Sequence, residues 1–476
     1  MIYTQNNPCP NSGMSMEKKE ECGLFGVFNN KDAAVITSMG LLALQHRGEE
    51  SAGIAVTDGT DMNLHARLGH VSRVFDTARL NNLRGNCAIG HTRYSVTGNS
   101  NDKNVQPLLV DIARGKIAIA HNGNLTNSKD LKKRLESEGS IFQTTMDSEI
   151  VLHLIARSRA ESFKDAIIEA VRQLQGAFSL LFLTRDALFA VRDAHGVRPL
   201  CLGTLGDSTI LCSETSAIDL VDAKYMGQID PGEIITVTAQ GIERESIFPQ
   251  VKQASCIFEM IYFARPDSLV FGESVYKFRK ELGRILAEES PVDADMIVPV
   301  PDSGVCAALG YAEQSGIPFE MALTRNHYVG RSFIQPEPHL RKSFVRMKLN
   351  PIKNLINKKR IVIVDDSIVR GTTTRERVRT LRESGAKEVH MRISCPPILH
   401  GCFYGVDFPD RSELISVRMS TEEVRTYLNL DSLAFISHEG MLRAHKGCNT
   451  FCDACFSGAY PIPIEKDFNK ESLSCR

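Results

Sequence analysis

Residues 360–374 read RIVIVDDSIVRGTTT: a short apolar run, two adjacent acids, a loop with one glycine, then threonines that open a helical pattern. That order belongs to an open parallel sheet, whose ligands lie beyond the carboxyl ends of the strands. Asp365 and Asp366 therefore emerge where a substrate would lie. The loop 367–373 can turn backbone N–H groups and hydroxyls toward an anion, with the positive end of the following helix behind them. Thr373 and Glu376 have capping-box spacing, which predicts that the helix begins there.

The same rhythm extends on both sides. Strands are expected at 296–300 and 389–394, a helix at 305–315 ended by Gly316, and another at 374–384 ended by Gly385. Residues 274–289 place Val275, Phe278, Leu282 and Ile285 on one helical face. Strand and helix alternate, so the second half, from 251 to about 470, is expected to be a doubly wound parallel sheet. Further upstream the strands are grouped apart from the helices. Strands are expected at 24–28, 53–57, 87–91, 117–121 and 178–183, and helices at 32–45, 129–138, 148–158 and 163–174. This predicts a layered α+β domain over 22–250, with the junction near 245–270.

Composition narrows the function classes. The chain has 476 residues, and 56 basic against 57 acidic side chains leave a net charge of −1. That length accommodates two or three domains. Near-neutrality offers no general attraction for nucleic acid or an anionic membrane, and no apolar stretch reaches the roughly 20 residues of a membrane span. Residues 1–21 lack the apolar run of a secretory signal, so a cytoplasmic location is expected and a disulfide framework is not. The 13 cysteines are then reduced thiols, metal ligands or catalytic groups. Cys87, Cys201, Cys212 and Cys306 lie in apolar patterns and read as buried thiols without chemistry. Cys452 and Cys455 form a C-x-x-C unit, which alone fits half a zinc site, a redox pair or two incidental thiols.

Five compact polar motifs mark the first half: ECGLFG (21–26), LQHRGEESAGI (44–54), GHTRYSVTG (90–98), AHNGNL (120–125) and TTMDSE (144–149). In this order they resemble the glutamine amidotransferase domain of the N-terminal-nucleophile class, which implies an αββα sandwich. The resemblance implies that Cys22 is the nucleophile once residues 1–21 are removed as a propeptide, because a free α-amine serves as its base. It implies an oxyanion hole from Asn122 and the Gly123 N–H, Arg93 on the glutamine carboxylate and Asp147 on its amine, with Arg47, close to the nucleophile, as a third glutamine-binding residue. One departure is Glu49, where the family usually has glutamine.

The string VIVDDSIVRGTTT resembles the phosphoribosyl-pyrophosphate (PRPP) motif of type I phosphoribosyltransferases. It implies that Asp365 and Asp366 hold the ribose hydroxyls and Mg²⁺, and that Ser367, Val369, Arg370, Gly371, Thr372 and Thr373 cradle the 5-phosphate. Ser303, in VPDSG at 300–304, is expected at pyrophosphate or magnesium. The basic stretch around Gly330, with Arg331 and Lys348, is expected to neutralise a leaving pyrophosphate.

Together the halves resemble the amidophosphoribosyltransferase family, in its propeptide-bearing iron-sulfur type. That implies conversion of glutamine and PRPP to 5-phosphoribosylamine, glutamate and pyrophosphate, the first committed step of purine (IMP) synthesis. Cys256 in SCIFEMIYFARPDS and Cys402 in PPILHGCFYGVD join Cys452 and Cys455 in cluster-bearing members. Ligand type alone does not separate zinc from a [4Fe-4S] cluster; the resemblance favours the cluster, one per subunit with one Mg²⁺, and leaves Cys395 and Cys448 out. It also implies a homotetramer inhibited by purine nucleotides, with no nucleic-acid or membrane partner. Glucosamine-phosphate synthase and asparagine synthetase share the first domain, but the PRPP loop argues against both. The alternative reading is a PRPP-sensing regulatory protein with a vestigial glutaminase domain.

Overall fold

The computed structural model describes residues 22–93, 102–326, 349–408, 410–445 and 451–464. The expected propeptide, Arg331, Lys348 and Cys448 lie outside them.

In the first half, two antiparallel sheets of seven and six strands pack face to face. Side chains on one strand alternate between cores. Leu24 and Phe28 face the space between the sheets, while Phe25 and Val27 face the helix Ala33–Ala43. On the second sheet Ala118, Ala120, Leu181 and Leu183 meet the first sheet. Ile117, Ile119, Leu180 and Phe182 meet the helices Ser128–Ser137, Asp147–Arg157 and Phe163–Val171. Both faces of each central strand are buried, which is why these runs read as continuously apolar and not as alternating. The four layers are helix, sheet, sheet, helix.

Several strands run further than their apolar cores. The expected 117–121 strand is Gly115–Leu125, so the polar HNGN sequence lies inside the sheet, paired with Gly176–Leu183, and not at a turn. Backbone pairing there overrides the turn preference of Asn and Gly.

The second half is built on the parallel strands Met296–Pro299, Arg360–Asp365, Glu388–Ile393 and Ser432–Phe435, paired in that order. Helices Val275–Glu289, Val305–Ser315 and Thr372–Glu383 accompany it, and Gly316 ends the second of these in the left-handed conformation. The capping expectation is corrected. The helix after the acidic loop starts at Thr372 with Gly371 as its cap, and no side-chain hydrogen bond caps it. Gly371 has φ of 77°, and a Cβ there would lie 2.5 Å from Ile415 Cδ1, so both backbone and space require glycine. The C-terminal segment returns to the junction, where Ser255–Cys256 pairs in parallel with Phe451–Cys452.

Candidate active site and cysteine pocket

At one end of the sandwich, Cys22 precedes the strand Gly23–Phe28, whose Gly23 pairs with Thr92, the neighbour of Arg93. The His91 Nε2–H donates to the His121 carbonyl at 3.0 Å, tying the two sheets together beside Asn122. His121 Nδ1 in turn lies 3.1 Å from the Asp147 carboxylate, whose other oxygen accepts the Leu125 N–H. Arg93, Asn122 and Asp147 are all buried here, and Cys22 is half-buried. Burial works to raise the Asp147 pKa, but His121 and backbone donors outweigh it and hold the carboxyl below its ordinary range. Desolvation pushes His91 down to about 3, so it stands neutral.

Among the described residues, Asn122 Nδ2, His91 Nδ1 and His121 Nε2 are buried without a hydrogen-bond partner. Orphaned polar atoms of this kind cost roughly 1–3 kcal/mol each and call for an explanation. Gly123 follows with φ of 143°, where a Cβ would sit 2.0 Å from the Ala177 carbonyl oxygen. Only glycine lets the chain pass there.

Arg47 lies beside the nucleophile. Its Nε donates to the Cys22 carbonyl at 3.1 Å, and its other nitrogens bind Glu214 and, in fork fashion at 2.6 and 3.0 Å, Glu259. Glu259 also meets Arg198 at 3.4 Å. These four side chains, two cations and two anions, are fully enclosed. Removing one partner from such a buried set typically costs about 3–5 kcal/mol. Burial would raise the pKa of Glu214, yet His46 and Arg47 hold it far below the carboxylate range. The sequence reading missed Glu214, Glu259 and Arg198. A signal was present for one of them, a lone acid inside the apolar run CIFEMIYF.

At the parallel sheet, Asp365 and Asp366 are buried at the carboxyl end of Arg360–Asp365. Arg377 holds Asp365 at 2.8 Å, the Asp365 carboxylate accepts the Asp366 N–H, and the Ser367 hydroxyl donates to Asp366. Val369 is partly buried, and its carbonyl accepts the Ile415 N–H. Arg370 pairs with Glu413, while Thr372 and Thr373 open the helix. Ser303 lies on the loop after the adjacent strand, where Arg325 holds Asp302. The strands Leu323–Arg325 and Leu349–Pro351 pair antiparallel.

Cys256 and Cys452 are register partners in the short parallel pair. The Tyr404 N–H donates to Cys402 Sγ, and Cys455 accepts the Leu399 and His400 N–H groups at its carbonyl. Burial first, then the neighbouring Cys256, Cys402, Cys452 and Cys395, raise the Cys455 thiol well above its ordinary value. Burial likewise pushes Cys452 up to about 12. Among the described residues no three His, Cys, Asp or Glu side chains close in as tightly as one metal ion requires. Cys87, Cys201, Cys212 and Cys306 are buried.

Residues 91–220 match the family model described as a glutamine amidotransferase domain. The chain is 49% identical to amidophosphoribosyltransferase 2, chloroplastic, of Arabidopsis thaliana over 96% of its own length and 82% of that protein. A solved structure of the allosteric regulatory enzyme of purine biosynthesis superposes with TM-score 0.91 at 45% identity, covering 95% of this chain and 98% of the other. The glutamine PRPP amidotransferase of B. subtilis, complexed with ADP and GMP, gives TM-score 0.90 at 44% identity, covering 95% and 100%.

Proposed function

The chain belongs to the amidophosphoribosyltransferase family, and we propose how its residues divide that activity between the sandwich and the parallel sheet. It is a glutamine amidotransferase that moves the amide nitrogen of glutamine to PRPP at the first step of purine biosynthesis. Agreement with enzymes of that name over nearly the whole chain sets aside the regulatory alternative.

The observation that carries the residue assignment is the buried, partnerless Asn122 Nδ2 at the end of the sandwich that also holds Cys22. A donor left unsatisfied by the protein is ready for an oxyanion. In this reading the chain is cut after Glu21, and the freed α-amine, with a reference pKa of about 7.7–8.0, takes the Cys22 thiol proton. The thiolate attacks the glutamine carboxamide while Asn122 and the Gly123 N–H hold the developing charge. Ammonia leaves, and water cleaves the thioester to give glutamate. Arg93 and Asp147 orient the carboxylate and amine of glutamine, and Arg47, assigned with them to glutamine, also donates to the Cys22 carbonyl.

Ammonia then attacks the anomeric carbon of PRPP and pyrophosphate departs. The loop 367–373 holds the 5-phosphate through its backbone, and Asp365 and Asp366 hold the ribose. Arg370 exchanges Glu413 for phosphate. Ser303, Asp365 and Asp366 are hard oxygen donors that suit Mg²⁺ and leave places for pyrophosphate oxygens. When bound, that ion neutralises leaving-group charge. Arg331 and Lys348 are assigned to the same role.

Cys256, Cys402, Cys452 and Cys455 are assigned to a [4Fe-4S] cluster that clips the junction to the C-terminal segment. Four thiol ligands suit zinc or an iron-sulfur cluster equally by ligand type, and the likeness to cluster-bearing family members supports the cluster. A cytoplasmic homotetramer inhibited by purine nucleotides completes the reading; the B. subtilis relative binds ADP and GMP.

The decisive assay compares wild type and Cys22→Ala with glutamine and with ammonium. Glutamine use should vanish and PRPP-dependent ammonium use persist; survival of the glutamine reaction overturns the assignment. For the cysteine pocket, anaerobic purification should yield iron and sulfide in equal amount, and stoichiometric zinc would reject the cluster.

A further inference from the structure

We infer that Glu259 is a positioning residue for the nucleophile, linking the Cys22 backbone to the turn that carries Cys402. The inference rests on the reading of Cys22 as the glutamine nucleophile.

Glu259 opens a π-helical turn, Glu259–Phe263, three residues beyond Cys256. Such turns are rare and are often found at functional sites. Its carboxylate is fully enclosed and works in two directions. Toward the sandwich it grips the Arg47 fork at 2.6 and 3.0 Å, and Arg47 Nε reaches the Cys22 carbonyl at 3.1 Å. Toward the C-terminal segment it meets Arg198, whose Nε and Nη2 donate to the Tyr404 carbonyl at 3.0 and 2.6 Å. The Tyr404 N–H lies 3.4 Å from Cys402 Sγ. At Gly405 a Cβ would come within 2.7 Å of the Arg198 guanidinium, so the turn is shaped around that cation.

A run of polar contacts, enclosed at its centre, therefore joins the Cys22 backbone to Cys402. Glu259 touches both arginines of this run through one carboxylate; Glu214 serves Arg47 from its other side. Each guanidinium is planar and forked, so the orientation of one end is transmitted to the other and not merely its charge. The Cys22 carbonyl accepts from Arg47, and the carboxylate that grips Arg47, Glu259, is outside the residues assigned to glutamine or to the PRPP loop. Loss of Glu259 should thus misplace the thiol without removing the handles that bind glutamine.

The test uses full-length enzyme with Glu259→Gln. Because a nucleophile displaced by about 1 Å can cost about 100-fold, kcat for the glutamine reaction should fall by about that factor while its KM changes little. The ammonium reaction should stay within about 2-fold of wild type, since chemistry at the PRPP loop is untouched. Alkylation of Cys22 by an electrophilic glutamine analogue should slow in parallel with kcat. Arg198→Lys keeps the charge but loses the fork on Tyr404, and should lower glutamine kcat by about 10-fold; it serves if Glu259→Gln does not fold. An equal fall of the glutamine and ammonium reactions in these variants, or an unchanged glutamine kcat, overturns the inference. Glutamine use surviving in Cys22→Ala would instead overturn the nucleophile assignment beneath it.

Discussion

Where the sandwich meets the junction, Arg47, Glu214, Glu259 and Arg198 are enclosed and pair with one another, whereas at the edge of the parallel sheet Arg370 and Arg325 pair with Glu413 and Asp302 on a partly open rim. The two regions handle charge for different purposes. An enclosed network pays a desolvation cost but fixes geometry before substrate arrives. Rim pairs are worth about 0–1 kcal/mol each, so phosphate can displace them at little cost. On the proposed assignment the sandwich site holds one thiol against one carboxamide, and the sheet-edge site accepts and releases a highly charged molecule.

The sharpest way to break this comparison is to remove the acids at the open edge. Asp365→Asn with Asp366→Asn should lower both the glutamine and the ammonium reactions by roughly three orders of magnitude, because both pass through PRPP. Unchanged turnover with ammonium would show that PRPP is not held there. A smaller and one-sided effect is expected in the sandwich. Asn122→Ala should cost about 10²–10³-fold with glutamine and leave ammonium use intact. An equal loss on both would mean that Asn122 supports the fold and not the oxyanion.

The smallest effect concerns acid stability. His91 titrates near 3 when folded and near 6.5 when free. Below about pH 6.5 the unfolded chain takes up a proton that the folded sandwich refuses, so stability falls by about 1.4 kcal/mol per pH unit down to the folded value. Above that range the term is fully present and pH-independent. Unfolding midpoints at pH 6.5, 5.5 and 4.5 should therefore decline, and His91→Gln should flatten the slope. Asp147, held below the carboxylate range, adds the same sign only at lower pH, as its free form becomes protonated.

Much of the second half was legible locally. Strand, acidic pair, glycine loop and helix are consecutive; the helix starts two residues earlier than expected, at Thr372 with Gly371 as its cap, and the strand Ser432–Phe435 with the helix Thr421–Leu428 before it was not read. In the first half the central apolar strands were legible, but the exposed Gly241–Ser246 was not, because every residue of that edge strand faces solvent and no apolar period marks it. The motif residues around Asn122 were recognised as a group, yet their place inside a strand was not, since Asn and Gly signal turns.

By itself the sequence determined the two layer types and the succession of strand, acidic pair, glycine loop and helix, because each is written in neighbouring residues with a period or a fixed order, while the reactive groups proposed for them rest on resemblance to the family. Only the tertiary structure decided that Arg47 serves the Cys22 backbone, that Glu259 faces two arginines, and that Cys256 stands in register with Cys452. Those contacts join residues separated by up to 212 positions, and nothing in local spacing encodes which distant charge will neutralise another once both are removed from water.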